Sequence, residues 1–71
     1  MTAVYLVYYS TNEKTTLCCV CATERAARDM AEGFVSPPRV WFNQVCVHVG
    51  GGNWETAHVE EWEVQNEFGD V

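Results

Sequence analysis

The chain has 71 residues, and its ten acidic and four basic side chains leave a formal net charge of −6. Hydrophobic residues make up 48% of it and aromatic residues 13%, which is more than a disordered chain contains. This composition predicts one folded domain over residues 1–71 and argues against a protein that neutralises the phosphates of nucleic acid. No stretch approaches the roughly 20 apolar residues of a membrane span.

The acidic residues are concentrated at the C-terminal end. Residues 55–71 hold six of the ten acids and no lysine or arginine, whereas residues 1–54 hold four acids and four bases. The whole formal charge therefore belongs to the last 17 residues. Such segregation creates a directional field, which favours encounter with a basic partner.

The first half of the chain reads as a hairpin followed by a helix. Two β-prone runs, 3–10 and 15–22, are separated by a short polar turn. The first run is apolar on both faces, which is typical of a central strand. Thr23 is a candidate N-cap for a helix over 23–34, and Gly33 is a candidate C-terminal stop.

The second half predicts two more strands, over 39–49 and 54–64, joined by a glycine-rich loop. The apolar parity of the last strand changes at Glu60 and Glu61, which predicts a β-bulge there. Residues 65–71 form a polar tail. The order β-β-α-β-β predicts an α+β fold, with a four-stranded, mostly antiparallel sheet and one helix on one face in a two-layer sandwich.

The four cysteines are expected to be free thiols. The N-terminal residues lack the basic and apolar regions of a signal peptide, so we expect a cytoplasmic protein, where thiols stay reduced. The C-C-x-C spacing differs from that of zinc knuckles. A metal site built from Cys19, Cys21, Cys46 and His48 requires the second and third strands to pair, and small buried hydrophobes are the favoured interpretation. No cofactor or metal is expected.

The acidic strand supplies the candidate partner-binding residues. A domain this small is not expected to offer a cleft of about 300 Å³ for catalysis, so solvated or partner-binding carboxylates on an edge strand are favoured over an enzyme. Carboxylates on one face of a strand repeat every 6.6–7 Å or so, close to two phosphate steps of a nucleic acid. The predicted contacts are Glu55, Glu60, Glu61, Glu63 and Glu67, together with Trp54 and Trp62.

The chain resembles small phage-encoded domains in three stretches. These are the opening V-Y-L-V-Y-Y-S strand, the alanine-rich helix segment from Ala22 to Glu32, and the closing V-E-E-W-E-V strand from Val59 to Val64. The C-C-V-C stretch and the three consecutive glycines depart from that pattern. Among such proteins, short acidic folded chains resemble anti-CRISPR proteins, several of which act as nucleic-acid mimics. The resemblance implies that the partner is a CRISPR effector complex.

The sequence therefore predicts a non-enzymatic inhibitor from a phage or mobile element. Its acidic surface would block the nucleic-acid-binding site of a host protein in the bacterial cytoplasm, without binding nucleic acid or membrane itself. Two alternatives stay open: an interaction module anchored by exposed tryptophans, and a small Cys/His metal-binding protein. The oligomeric state, monomer or homodimer, is open as well.

Overall fold

The structure is a computed structural model that describes residues 2–51 and 54–64. In chain order its elements are β1 (Thr2–Thr11), β2 (Thr15–Cys21), α1 (Glu24–Phe34), β3 (Arg39–Phe42), β4 (Val45–His48) and β5 (Glu55–Val64). The strands form one antiparallel sheet in the order β2-β1-β5-β4-β3. The α+β class, the single helix and the antiparallel sheet confirm the prediction, but the sheet has five strands and not four. The predicted tail, 65–71, lies outside the described residues.

The additional strand arises from a two-residue turn at Asn43 and Gln44. The prediction of one strand over 39–49 is wrong, because β3 and β4 form a hairpin in which Phe42 pairs directly with Val45. Asn43 has φ 55°, in the left-handed region that asparagine adopts more readily than most residues. Two residues are the shortest common hairpin connection, so the β-prone sequence on both sides reads as continuous.

The acidic strand lies at the centre of the sheet. β5 has β1 along its whole length on one side and β4 beside residues 56–58 on the other, so in strand order it is not the edge strand that the sequence predicts. Among the described residues, 60–64 have no pairing partner on the β4 side, so the acidic half of β5 does lie at an edge. The predicted bulge at Glu60 and Glu61 is wrong, because β5 pairs with β1 in continuous register over all 10 residues of both strands. Side chains therefore alternate strictly along β5, and Ala57 and Trp62 lie on opposite faces.

A bulge does occur, but in β2. Val7 pairs with Cys19 and the next residue of β1, Tyr8, pairs with Leu17, which leaves Cys18 as the extra residue. Cys18 is exposed on this outer strand. A bulge twists and interrupts an edge, which protects it from pairing with other chains.

The helix covers one face of the sheet. The Thr23 hydroxyl oxygen caps it by accepting from the backbone N–H of Ala26 at 3.1 Å, and Glu24 adds a negative charge to its first turn. α1 packs mainly across β1 and β5. The fully buried hydrophobic side chains between them are small: Val7, Ala27, Ala31, Val35, Cys46, Ala57 and Val59. Among the described residues, no helix has the length and apolar character of a membrane span.

The other face of the sheet is apolar and uncovered. Of the elements that the structure describes, none packs on that side, and several large side chains there are exposed. We call it the open face, and the side that carries α1 the helix face. By strand register, the apolar residues of the open face are Val4, Leu6, Tyr8, Leu17, Val20, Val40, Phe42, Val45, Val47, Trp62 and Val64.

Candidate functional site

The predicted acidic contacts divide between the two faces of the sheet. Glu60 lies on the open face, because it pairs with Leu6. Glu61 and Glu63 lie on the helix face, as does Glu55 at the opposite end of β5. Glu67 lies outside the described residues. Of the predicted row of carboxylates, only Glu61 and Glu63 are therefore neighbours on one face of β5.

Glu55 is held by the segment that follows the helix. Its carboxylate accepts from the backbone N–H of Ser36 at 3.0 Å and from the Ser36 hydroxyl at 3.3 Å. The pKa of Glu55 is lowered, first by that backbone N–H, while desolvation opposes the shift. Glu61 lies six residues further along the strand, a distance of roughly 20 Å. Glu55 therefore connects β5 to the loop after α1, far from the other carboxylates of its face.

Glu60 is paired within its own strand. The Trp62 indole Nε1–H donates to one carboxylate oxygen at 3.0 Å, and His58 Nε2 lies 3.2 Å from the other. The pKa of Glu60 is lowered, first by the bond from Trp62 and then by that from His58. Tyr8 stacks on the His58 ring, with 4.8 Å between centroids. We call His58, Glu60 and Trp62 the polar stripe; it runs along the middle strand of the open face.

Glu61 and Glu63 form the exposed part of the predicted site. Both are exposed to solvent at the end of β5 that lies beside the start of β1. The pKa of Tyr5 is raised by desolvation and then by the negative charges of Glu61 and Glu24, so these two carboxylates lie near the same phenol. We call Glu24, Glu61 and Glu63 the acidic patch.

Two of the four basic residues form hydrogen bonds with other parts of the structure. Arg28 donates to the Gln44 side chain at 2.6 Å and lies 4.0 Å above the centre of the Trp41 ring. Arg39 donates to the carbonyl oxygen of Val35 at 3.1 Å. Arg28 also lies 3.7 Å from Glu24, an exposed pair that contributes little energy. Among the described residues, Glu61 and Glu63 form no ion pair, so no direct basic contact offsets their charges.

The two predicted tryptophan anchors lie in different surroundings. Trp62 is 55% exposed on the open face, and Trp54 is 50% exposed just before β5. Trp54 lines a cleft of about 270 Å³ with Tyr9, Thr11, Asn12, Glu13 and Glu55. The two tryptophans therefore lie at opposite ends of β5.

A second depression, of about 430 Å³, lies on the outer side of α1. It exceeds the volume that the sequence led us to expect in so small a domain. All of its lining residues belong to that one helix: Glu24, Arg25, Arg28, Asp29 and Glu32. With no facing wall, it is a surface depression between charged side chains, without the enclosure that a catalytic cleft needs.

The cysteines and histidines are not brought together. β2, which carries Cys19 and Cys21, is separated from the strand of Cys46 and His48 by two other strands, so roughly 14 Å lies between them. Among the described residues, no group of three metal-ligating side chains forms. Burial raises the pKa of the Cys19 and Cys46 thiols, which disfavours a nucleophilic thiolate.

The open face is the feature that sequence reasoning missed as a site. The signal was present: β1 is apolar on both faces, and only one face of a sheet can be covered by one helix. Phe42 and Val20, exposed by 60% and 57%, extend the apolar surface to both outer strands. Their place on this face follows from the hairpin at Asn43 and the bulge at Cys18, which the sequence did not reveal.

Comparison with known proteins found no match. No family model matches the chain, and no similar protein or solved structure was found.

Proposed function

We propose that the protein is a non-enzymatic binding protein whose acidic patch occupies a basic, nucleic-acid-binding surface of another protein. The observation that carries the proposal is the exposure of Glu61 and Glu63 on one face of β5, beside Glu24 and away from the buried part of the helix face. An acidic field of this kind speeds and orients the encounter with a basic partner.

The spacing of the patch supports mimicry of a phosphate backbone. Glu61 and Glu63 are two residues apart on one strand face, so their Cα atoms are separated by about 6.6–7 Å, close to two phosphate steps of about 3.4 Å. At Glu61 and Glu63, β5 is paired with β1 through Tyr5 and Ala3, whereas β4 pairs only with residues 56–58. Pairing with β1 orders the backbone beneath the carboxylates, which limits the backbone entropy lost on binding.

The proposal also extends to the identity of the partner. The resemblance to small phage-encoded acidic proteins favours a CRISPR effector complex, with inhibition by occupation of its nucleic-acid channel. The protein would then act in the cytoplasm of the host bacterium. It needs no cofactor for this role.

The test compares two double variants of equal net charge. Glu61→Lys with Glu63→Lys reverses the patch, and Glu13→Lys with Asp29→Lys reverses two exposed acids elsewhere, on the β1–β2 turn and on the outer side of α1. Each variant and the wild type serve as bait in a bacterial lysate, and captured proteins are identified by mass spectrometry. We expect the wild type and the second variant to retain a nucleic-acid-binding protein that the patch variant loses.

Two further results are required. Capture must weaken steeply as salt rises, because the contacts are between exposed charges. Added DNA or RNA must compete for the captured protein. If both double variants retain the same partner equally well while circular dichroism shows that they are folded, the acidic patch is not the binding site.

A second candidate function rests on the open face. The 55% exposure of Trp62 on a large apolar surface favours a protein–protein contact anchored by that indole. Trp62→Ser should then abolish capture, while Trp54→Ser, a change of the same residue at similar exposure, should leave it intact. This candidate is correct if Trp62→Ser loses the captured partner while the double variant Glu61→Lys with Glu63→Lys retains it.

A further inference from the structure

The open face is large enough to serve as one half of a protein interface. Five strands spaced by about 4.8 Å span about 20 Å between the outer strand axes, and the two 10-residue strands run about 33 Å. Because β3 and β4 are short, the projected footprint is roughly 400–600 Å². The accessible area of a rough surface exceeds its projection, which brings the face toward the roughly 800 Å² per partner of a standard interface.

The distribution of hydrophobic side chains shows where the chain lacks burial. The side chains that are fully buried in the described part are alanines, valines and one cysteine, whereas Phe42 and Trp62 are more than half exposed. A domain of this length buries only about 60% of its unfolded surface and commonly needs reinforcement by disulfides, metal or association. All four cysteines of the chain are unbridged. Covering the open face would supply the missing burial.

Charge argues for a second copy as the occupant. The ionisable side chains that the register assigns to the open face are Tyr8, His58 and Glu60, and the two carboxylate oxygens of Glu60 face Trp62 Nε1–H and His58 Nε2. A basic partner would find no exposed row of carboxylates there. An apolar face matches another apolar face, and among the described elements the matching one is the same face of a second chain.

We propose that two copies of this chain associate through their open faces, as a two-fold symmetric sandwich of two sheets with a helix on each outer side. Sheets in such a sandwich lie about 10 Å apart. The same residues contribute from both copies, as a two-fold interface requires. This inference does not depend on the proposed function.

The polar stripe is compatible with burial in this interface. A buried carboxylate is costly unless its oxygens have hydrogen-bond partners, and Glu60 has one for each oxygen on its own strand. Tyr8 covers the His58 ring by stacking. The carboxylates of the acidic patch lie on the other side of each sheet, so the repulsion between the two copies is reduced by distance and by salt.

The test measures the mass of the full chain in solution. Light scattering after size exclusion, over a wide range of concentration, should give the mass of two 8.0 kDa chains for the wild type. Val20→Lys and Phe42→Lys place a charge at either side of the open face and should raise the dissociation constant at least about tenfold. Met30→Lys is the matched control: Met30 is 45% exposed on α1, and the change in net charge is the same. It should leave the dimer intact.

Three results would overturn the inference. The first is a wild type that has the mass of a single chain at every concentration. In that case a different protein, or another part of the chain, covers the open face. The second is a dimer that Val20→Lys, Phe42→Lys and Met30→Lys leave equally strong while folded. If the variants unfold, isotope-filtered NOEs on mixed labelled and unlabelled wild type decide, and the third result is the absence of contacts between copies from Val20, Val45 and Val47. Charge reversal at Glu61 and Glu63 should not alter the mass, which separates this test from that of the proposed function.

Discussion

The helix face and the open face belong to the same strands but carry their hydrophobic residues differently. On the helix face, small side chains such as Ala57 and Cys46 are completely buried. On the open face, larger side chains such as Phe42 and Trp62 remain in solvent. Side-chain hydrophobicity alone therefore does not decide burial in a small domain. The position of the single covering element decides it.

The size of the helix explains the difference. Eleven helical residues span about 16 Å and a helix is about 10 Å wide, so α1 covers β1 and β5 and little more. Small residues beneath it allow close approach of helix and sheet, and Arg28 and Glu32 reach across to the β3–β4 hairpin. Glu32 accepts from the Trp41 indole Nε1–H at 2.6 Å. The hairpin is therefore attached to the helix through polar side chains.

The largest expected effect on the free energy of unfolding comes from comparing a Val→Ala substitution on the helix face with one on the open face. Val7→Ala removes side-chain volume at a residue with 0% exposure and should lower the free energy of unfolding by about 2–3 kcal/mol. Val20→Ala, at 57% exposure, should lower it by about 0.5 kcal/mol or less when the protein is dilute. Urea denaturation of both variants measures the two values.

Protein concentration provides a second way to distinguish Val7→Ala from Val20→Ala. If the open face is buried between two copies, the wild type should become more stable as its concentration rises, and Val20→Ala should reduce that gain. Val7→Ala should be equally destabilising at all concentrations. Equal losses for both variants in dilute solution would contradict the assignment of one face as covered and the other as open.

An intermediate effect is expected from the polar attachment of the hairpin. Glu32→Ala leaves the half-buried Trp41 Nε1–H without its acceptor and should cost about 1–2 kcal/mol of unfolding free energy. Asp29→Ala, an exposed acid on the same helix, is the control and should change little. Trp41 fluorescence in a variant that lacks the other two tryptophans should report local loosening in Glu32→Ala. An unaltered emission spectrum would show that the bond does not hold the indole.

The smallest effect concerns acid and compares one carboxylate from each face. The pKa values of Glu55 and Glu60 are both lowered from 4.5 by hydrogen bonds. A lowered folded-state pKa stabilises the fold above the ordinary value, and that stability is lost as pH falls through the lowered pKa. Glu55→Gln and Glu60→Gln should therefore be less stable than the wild type at about pH 6, and the difference should shrink as pH falls below the ordinary glutamate value.

The two glutamine variants also separate the faces. The Glu60→Gln effect should depend on protein concentration if the open face is an interface, and the Glu55→Gln effect should not. Urea midpoints near neutral pH and in acid, at two concentrations, provide the measurement. A wild-type loss of stability that persists unchanged in both variants would mean that other groups govern the acid response.

Local signals predicted most of the elements. Thr23 identified the start of the helix, since an N-cap is a contact between residues three apart, and the β-prone runs identified β1, β2 and β5 to within one residue. The hairpin at Asn43 was missed, because a two-residue turn without glycine leaves almost no mark on a strand pattern. The bulge was assigned to Glu60 and Glu61 because both apolar pairs of β5 were assumed to face one core.

The sequence predicted which residues the candidate site contains but not how they are arranged. The sequence established that acidic residues are concentrated after residue 54, that the chain folds with one helix, and that its first strand is apolar on both sides. Tertiary structure decided that β5 is central, that Glu60 turns away from Glu61 and Glu63, and that Trp62 lies on an open face. The physical reason is that strand order and register are set by hydrogen bonds between distant residues, while charge, propensity and capping are properties of neighbours along the chain.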